Sequence, residues 1–123
     1  MPHFGEFSLQ KIPFTHLLHF TLTPPSINVL LVLIKAGCVP LPYRVERLAM
    51  SVDPAPGGAN VVSFTLSNGV DSMTVSCTLA ETSDIDTDGF DVDPATQDLT
   101  LHYTEGAAAL SDKGAITICR RYT

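Results

Sequence analysis

Val61-Val-Ser-Phe-Thr-Leu-Ser67, then Asn68-Gly69, then Ser72-Met-Thr-Val-Ser-Cys-Thr-Leu79: these residues decide the fold. In the first run Val62, Phe64 and Leu66 share one face, and Ser63, Thr65 and Ser67 the other. In the second, Met73, Val75, Cys77 and Leu79 oppose Thr74, Ser76 and Thr78. Successive side chains of a strand point to opposite faces, so a period of two marks strands with one dry and one wet side. Asn-Gly between two such runs signals a hairpin, because both residues tolerate positive φ.

The same pattern continues outward. Tyr43–Val52 reads as a strand with Tyr43, Val45, Met50 and Val52 apolar, and Leu48-Ala49 breaks its alternation as a bulge would. Asp53-Pro-Ala-Pro-Gly-Gly58 is a turn and Glu81–Gly89 an acidic loop. Phe90–Val92 is a short strand. Leu99, Leu101 and Tyr103 then alternate with Thr100, His102 and Thr104. After a small-residue loop, Glu105–Gly114, the stretch Ala115–Tyr122 points Ile116 and Ile118 inward. Turn signals every eight to twelve residues or so suit an all-β chain, a single antiparallel β-sandwich or jelly roll. Its expected core is Val62, Phe64, Leu66, Met73, Val75, Leu79, Leu99, Leu101, Ile116 and Ile118.

Upstream the character changes. Residues 1–25 hold Phe4, Phe7, Phe14 and Phe20, three of the 4 His, and Pro2, Pro13, Pro24 and Pro25. They have no steady period, although Thr15–Thr23 is a candidate strand. The expected organisation is an extended N-terminal arm, 1–25, and a β-sandwich domain, 26–123. A Phe-rich arm docks on its own core or on a neighbour, so these four Phe are the candidate partner-binding residues. Ile27–Lys35 is apolar on both faces, as in a strand in mid-sandwich or at a subunit interface. Ala36–Pro42 is a loop.

The 123 residues suffice for one real core, and 45% hydrophobic content excludes disorder for the chain as a whole. The net charge of −6 leaves no footprint for phosphate backbones, so nucleic acid is not expected as a partner. The 3 cysteines, Cys38, Cys77 and Cys119, are odd in number and lack C-x-x-C spacing, which favours reduced thiols over a disulfide framework or a zinc site. Cys77 lies on an apolar face, where a thiol packs as a small hydrophobe. Ile27–Ile34 is far shorter than the roughly twenty residues of a membrane span. Leu33-Ile-Lys-Ala-Gly-Cys38 has the outline of a lipoprotein cleavage site, but Lys35 stands where that motif needs an aliphatic residue. Neither a membrane partner nor a secretory signal is expected.

Asp84-Ile-Asp-Thr-Asp-Gly89 is the sharpest local motif. Asp-x-Asp-x-Asp-Gly opens a calcium loop, making Asp84, Asp86 and Asp88 weak metal candidates. Its twelfth position is Ala95, which lacks a ligating side chain, and the competing reading is a solvated loop of Asx turns. His16 and His19 would share a face only in a helix, and their Thr- and Phe-rich surroundings favour strand. No Gly-x-Ser-x-Gly elbow or cysteine motif supports a nucleophile, so no catalytic residue, no cofactor and no enzyme are expected.

An ordered series of features resembles a β-sandwich module of tailed-bacteriophage virion proteins. Arg47-Leu-Ala-Met-Ser-Val-Asp53 leads into Ala55-Pro-Gly-Gly58, then Val61-Val-Ser-Phe-Thr-Leu66, Asn68-Gly-Val-Asp71 and Met73-Thr-Val-Ser-Cys-Thr78. Thr82-Ser-Asp-Ile-Asp-Thr87 precedes Asp98-Leu-Thr-Leu101, and Gly114-Ala-Ile-Thr-Ile-Cys-Arg-Arg-Tyr122 is similar to the module's last strand. The resemblance covers residues 43–123. It implies a virion structural protein, a capsid decoration (cement) protein that stabilises a phage head by binding the major capsid protein, made in the host cytoplasm and placed on the capsid surface. It also implies self-association, with a homotrimer expected. The alternative it leaves open is a receptor- or glycan-binding tip of a head or tail fibre, with the Asp84–Asp93 loop as contact surface.

Overall fold

The computed structural model describes residues 13–21, 29–57, 60–105 and 113–123 of the chain. Among them are nine strands and no helix: β1 (Pro13–Thr21), β2 (Val29–Ile34), β3 (Tyr43–Asp53), β4 (Val61–Ser67), β5 (Ser72–Thr78), β6 (Ser83–Asp86), β7 (Phe90–Val92), β8 (Leu99–Glu105) and β9 (Lys113–Tyr122). One sheet runs β1-β9-β3-β6, with β7 also on β3; the other runs β2-β8-β4-β5. All pairings are antiparallel. β6 and β7 lie end to end along the same side of β3 and act as one interrupted strand. The pairs are then nested: β1 with β9, β2 with β8, β3 with β6 and β7, β4 with β5. A ribbon of nested pairs, wrapped so that alternate pairs fall in alternate sheets, is jelly-roll wiring. The expected all-β sandwich is the observed one.

The two inner faces close over a core that includes Tyr43, Leu48, Phe64, Leu66, Met73, Leu101, Ile116 and Ile118, all essentially inaccessible. Phe64 is its pivot. Its ring meets Phe20 of the opposite sheet at 5.4 Å and Tyr103 of its own at 5.1 Å. The alternation that put Val62, Phe64 and Leu66 on one face held because the wet face is also satisfied. Ser63 Oγ lies 2.8 Å from Ser76 Oγ, and Thr65 Oγ1 lies 3.0 Å from Thr74 Oγ1, a polar ladder across β4 and β5. Cys77 is buried as its face requires, and all three cysteines are free.

Five expectations need correction. Leu79 is 59% exposed, not core. β5 ends at Thr78, and Leu79 turns away with φ 54°. The irregularity in β3 is not at Leu48-Ala49 but between Val45 and Arg47, where Glu46 is the extra residue opposite β9. Glu46 and Arg47 both face outward there, so Leu48 returns to the core. The Asn68-Gly69 hairpin exists with a longer loop, residues 68–71, and only Gly69 has positive φ, at 94°. Asn68 instead organises the loop through its side chain. Its Oδ1 accepts from the Val70 and Asp71 N–H groups, and its Nδ2 donates to the Asp91 carbonyl at 2.7 Å.

The acidic loop contains a strand, β6, which pairs Asp84 with Met50 and Asp86 with Leu48. Finally, the apolar strand near residue 30 does not lie in mid-sandwich. Among the described residues β2 is an edge strand with one neighbour, β8.

Candidate interaction surface

Two edges of this sandwich are built in opposite ways. β5 is one outer strand of its sheet, and a strand in that position presents unpaired N–H groups to any other chain. Here every second residue is capped by a carboxylate. The Thr74 N–H donates to Asp86 Oδ2 at 3.2 Å, the Ser76 N–H to Asp84 Oδ2 at 2.9 Å, and the Thr78 N–H to Glu81 Oε1 at 2.8 Å. The Thr78 hydroxyl also donates to Glu81, and these two bonds hold its carboxyl below the usual carboxylate range. The capped edge is therefore closed and acidic. Because β6 belongs to the other sheet, Asp84 and Asp86 also tie the two sheets together at this side.

The sequence marked Asp84, Asp86 and Asp88 as metal candidates. Asp84 and Asp86 spend their oxygens on backbone: Asp86 Oδ1 also accepts from the Asp88 N–H at 2.8 Å, an Asx turn. Gly89 follows with φ 77°, and Arg44 bridges the break between β6 and β7 by donating to the Asp88 carbonyl and the Asp91 carboxylate. Among the described residues no group of three or more His, Cys, Asp or Glu side chains is placed to hold a metal ion. His16 and His19 point to opposite faces of β1, as strand geometry demands: His16 is half-buried, His19 exposed.

Among the described residues no further strand pairs with the opposite edge of that sheet. β2 has no charged residue between Val29 and Ile34, and Leu30 and Val32 are 62% and 52% exposed. Leu31 is partly exposed too, while Leu33 and Ile34 lean on the core. Edge strands of natural proteins are ordinarily shortened, charged or covered, since an uncovered apolar edge recruits other strands. The outer face of the other sheet adds a shallow trough of about 260 Å³. Leu17, Thr117, Ala49 and Ile85 stand in one register across it, two large side chains flanking two small ones. A wider cleft of about 790 Å³ opens near His19, Phe20, Asp53 and Lys113.

Of the candidate partner-binding residues, Phe4 and Phe7 lie outside the described residues. Phe14 and Phe20 belong to β1, a strand of the sandwich, and their ring contacts are internal: Phe14 on Tyr122 at 5.3 Å, Phe20 on Phe64. No residue-level signal in the sequence pointed to the capping role of Asp84, Asp86 and Glu81. It depends on β5 and β6 meeting at the side of the sandwich.

No helix among the described residues is long and apolar enough to cross a membrane. No protein-family model matches this chain, and no curated protein matches it. Solved structures with a similar course of chain include one from the disulfide-linked pili of Bacillus endospore appendages, 17% identical, covering 91% of this chain and 87% of that one at a TM-score of 0.45. Another comes from the virus-like particle of the giant freshwater prawn Macrobrachium rosenbergii extra small virus, 11% identical over 89% of this chain and 77% of that one, TM-score 0.43. A CBM4 structure, 12% identical over 93% and 77%, scores 0.28. At these scores the likeness decides neither family nor function.

Proposed function

We propose that this chain is a structural protein of a virion: a capsid decoration protein of a tailed bacteriophage that binds the major capsid protein and self-associates on the head, as a homotrimer. The observation that carries this reading is the unequal guarding of the sheet edges. β5 is closed by three carboxylates while β2 offers an uncharged apolar edge. A small sandwich that keeps one edge shut and one open is suited to adding itself to another surface in a single orientation, by strand addition and apolar burial. The Phe-rich residues that precede β1 would supply a second point of attachment.

The test places charge on the bare edge. Leu30→Lys with Val32→Lys should fold normally, because both side chains already stand in solvent. It should no longer coat expanded phage capsids. Undiminished occupancy by the double variant would remove β2 from the attachment and this reading with it. A wild-type protein that ignores capsids but blocks phage adsorption to cells would instead establish the receptor-binding alternative.

A further inference from the structure

Among the described residues β1 is the outermost strand of its sheet and pairs with β9, from Pro13 opposite Arg121 to Thr21 opposite Lys113. Its two halves are held differently. At the trailing end Phe20 rests on Phe64 in the core. At the leading end the strand is held by a buried cation. Arg120 is only 8% exposed, and its guanidinium carbon lies 4.9 Å from the centre of the Phe14 ring, 5.0 Å from Tyr43 and 5.8 Å from Tyr122. Ring faces attract such a cation through their quadrupoles. Its Nε–H donates to His16 Nε2 at 2.8 Å.

Among the described residues the ion pairs engage Lys35, Arg44 and Arg121, and no carboxylate is paired with Arg120. Its Nη1 is buried without a hydrogen-bond partner among the described residues, as is the Tyr43 hydroxyl. Among the described residues the imidazole lone pair is the acceptor that holds the Nε–H of this buried guanidinium. Among the described residues the charged group beside His16 is Arg120 of β9, and Tyr43 of β3 and Tyr122 of β9 flank that guanidinium.

We infer that His16 and Arg120 form an acid-sensitive latch: protonating the imidazole removes the acceptor, sets a second cation beside the first, and frees residues 13–17 from β9 while the Phe20 end and the rest of the sandwich stay paired. The chemistry is a single proton taken from water onto Nε2. The consequence is mechanical. Residues 13–17 leave their places opposite Arg121–Thr117 of β9. The latch follows from the β1–β9 geometry and does not depend on the proposal about capsids.

Amide exchange followed by NMR, with rates corrected for the intrinsic effect of pH, tests it on the full chain. Between about pH 7.5 and about pH 5, where an imidazole titrates, protection of the Phe14–Leu17 amides should fall roughly tenfold. Protection at Phe64 and Leu101 should hold, and the fall should track the ring signals of His16 rather than those of His19 or His102. His16→Gln keeps a side-chain acceptor that does not titrate, so its β1 protection should be flat across this range. His19→Gln should behave as wild type, which keeps the test decisive if the first variant folds poorly. Equal β1 protection at both pH values overturns the latch. So does an equal fall in His16→Gln, or loss of β4 and β8 protection together with β1.

Discussion

Removing the caps from β5 is the sharpest perturbation this structure offers. In Asp84→Ala with Asp86→Ala, the Ser76 and Thr74 N–H groups lose acceptors now 2.9 and 3.2 Å away. A hydrogen bond to a charged acceptor contributes about 1.5–3 kcal/mol when its donor would otherwise be left dry. These donors sit at a sheet edge where water can replace the carboxylate, so a smaller figure applies, about 0.5–1 kcal/mol each and about 1–2 kcal/mol together. For a domain of this size that lowers the melting temperature by roughly 3–10 °C. The second effect is the more telling one. With the edge uncapped and two negative charges gone, β5 becomes a template for strand addition. Light scattering should then show association that grows with protein concentration. Asp84→Asn with Asp86→Asn keeps an acceptor oxygen and should recover most of the stability. Urea unfolding and light scattering read both effects. A double Ala variant within about 0.3 kcal/mol of wild type, and equally monodisperse, would refute the capping argument. A chelator-sensitive melt of the wild type, absent in the variant, would show that these carboxylates hold a metal instead.

Four further outcomes follow from single residues. Phe64→Ala should cost about 3–5 kcal/mol in urea unfolding, since it empties the centre of the core and two ring contacts. Gly89→Ala should destabilise by about 1–3 kcal/mol, because φ is 77° and an added Cβ would stand 2.7 Å from Arg44 Nη2 and 3.0 Å from the Val45 carbonyl oxygen. Burial, then the charges of Glu81 and Asp84, push the Cys77 thiol up to about 11, so at mild alkaline pH a thiol reagent should label exposed Cys38 and spare Cys77 until the chain unfolds. Burial first, and Arg120 second, hold the pKa of His16 below its usual 6.5. The unfolded chain then binds that proton more readily, so the contribution to stability is whole above about pH 6.5 and is lost as pH falls through the folded value. The urea midpoint should drop on acidification, with a shallower slope in His16→Gln.

The sandwich was legible in the sequence because a strand's side-chain period is local. Val62, Phe64, Leu66 and Met73, Val75, Cys77 declare their faces with no knowledge of what covers them, and all six are buried as read. Leu79 continued the same rhythm yet lies in water, since where a strand ends is set by its partner: β4 begins at Val61, which pairs with Thr78. Charge likewise travels with composition, so the expectation about nucleic acid was formed from the net charge of −6 alone. The candidate site was another matter. Asp84 and Asp86 read as a calcium loop or a solvated turn, both local interpretations of a local motif. Their oxygens in fact bond the N–H groups of Thr74 and Ser76, eight to twelve residues away and in the other sheet. The apolar run at β2 was visible, but its place was not: an edge and a central strand can share one sequence, and only the order β2-β8-β4-β5 makes it an edge. Arg120 and His16 are 104 residues apart and meet because the first and last described strands pair. Period and composition therefore determined which residues go inside, since burial of a side chain depends on its own chemistry. Which edges are open, which are shut and which side chains meet was decided by strand order, a property of the whole chain that no local pattern encodes.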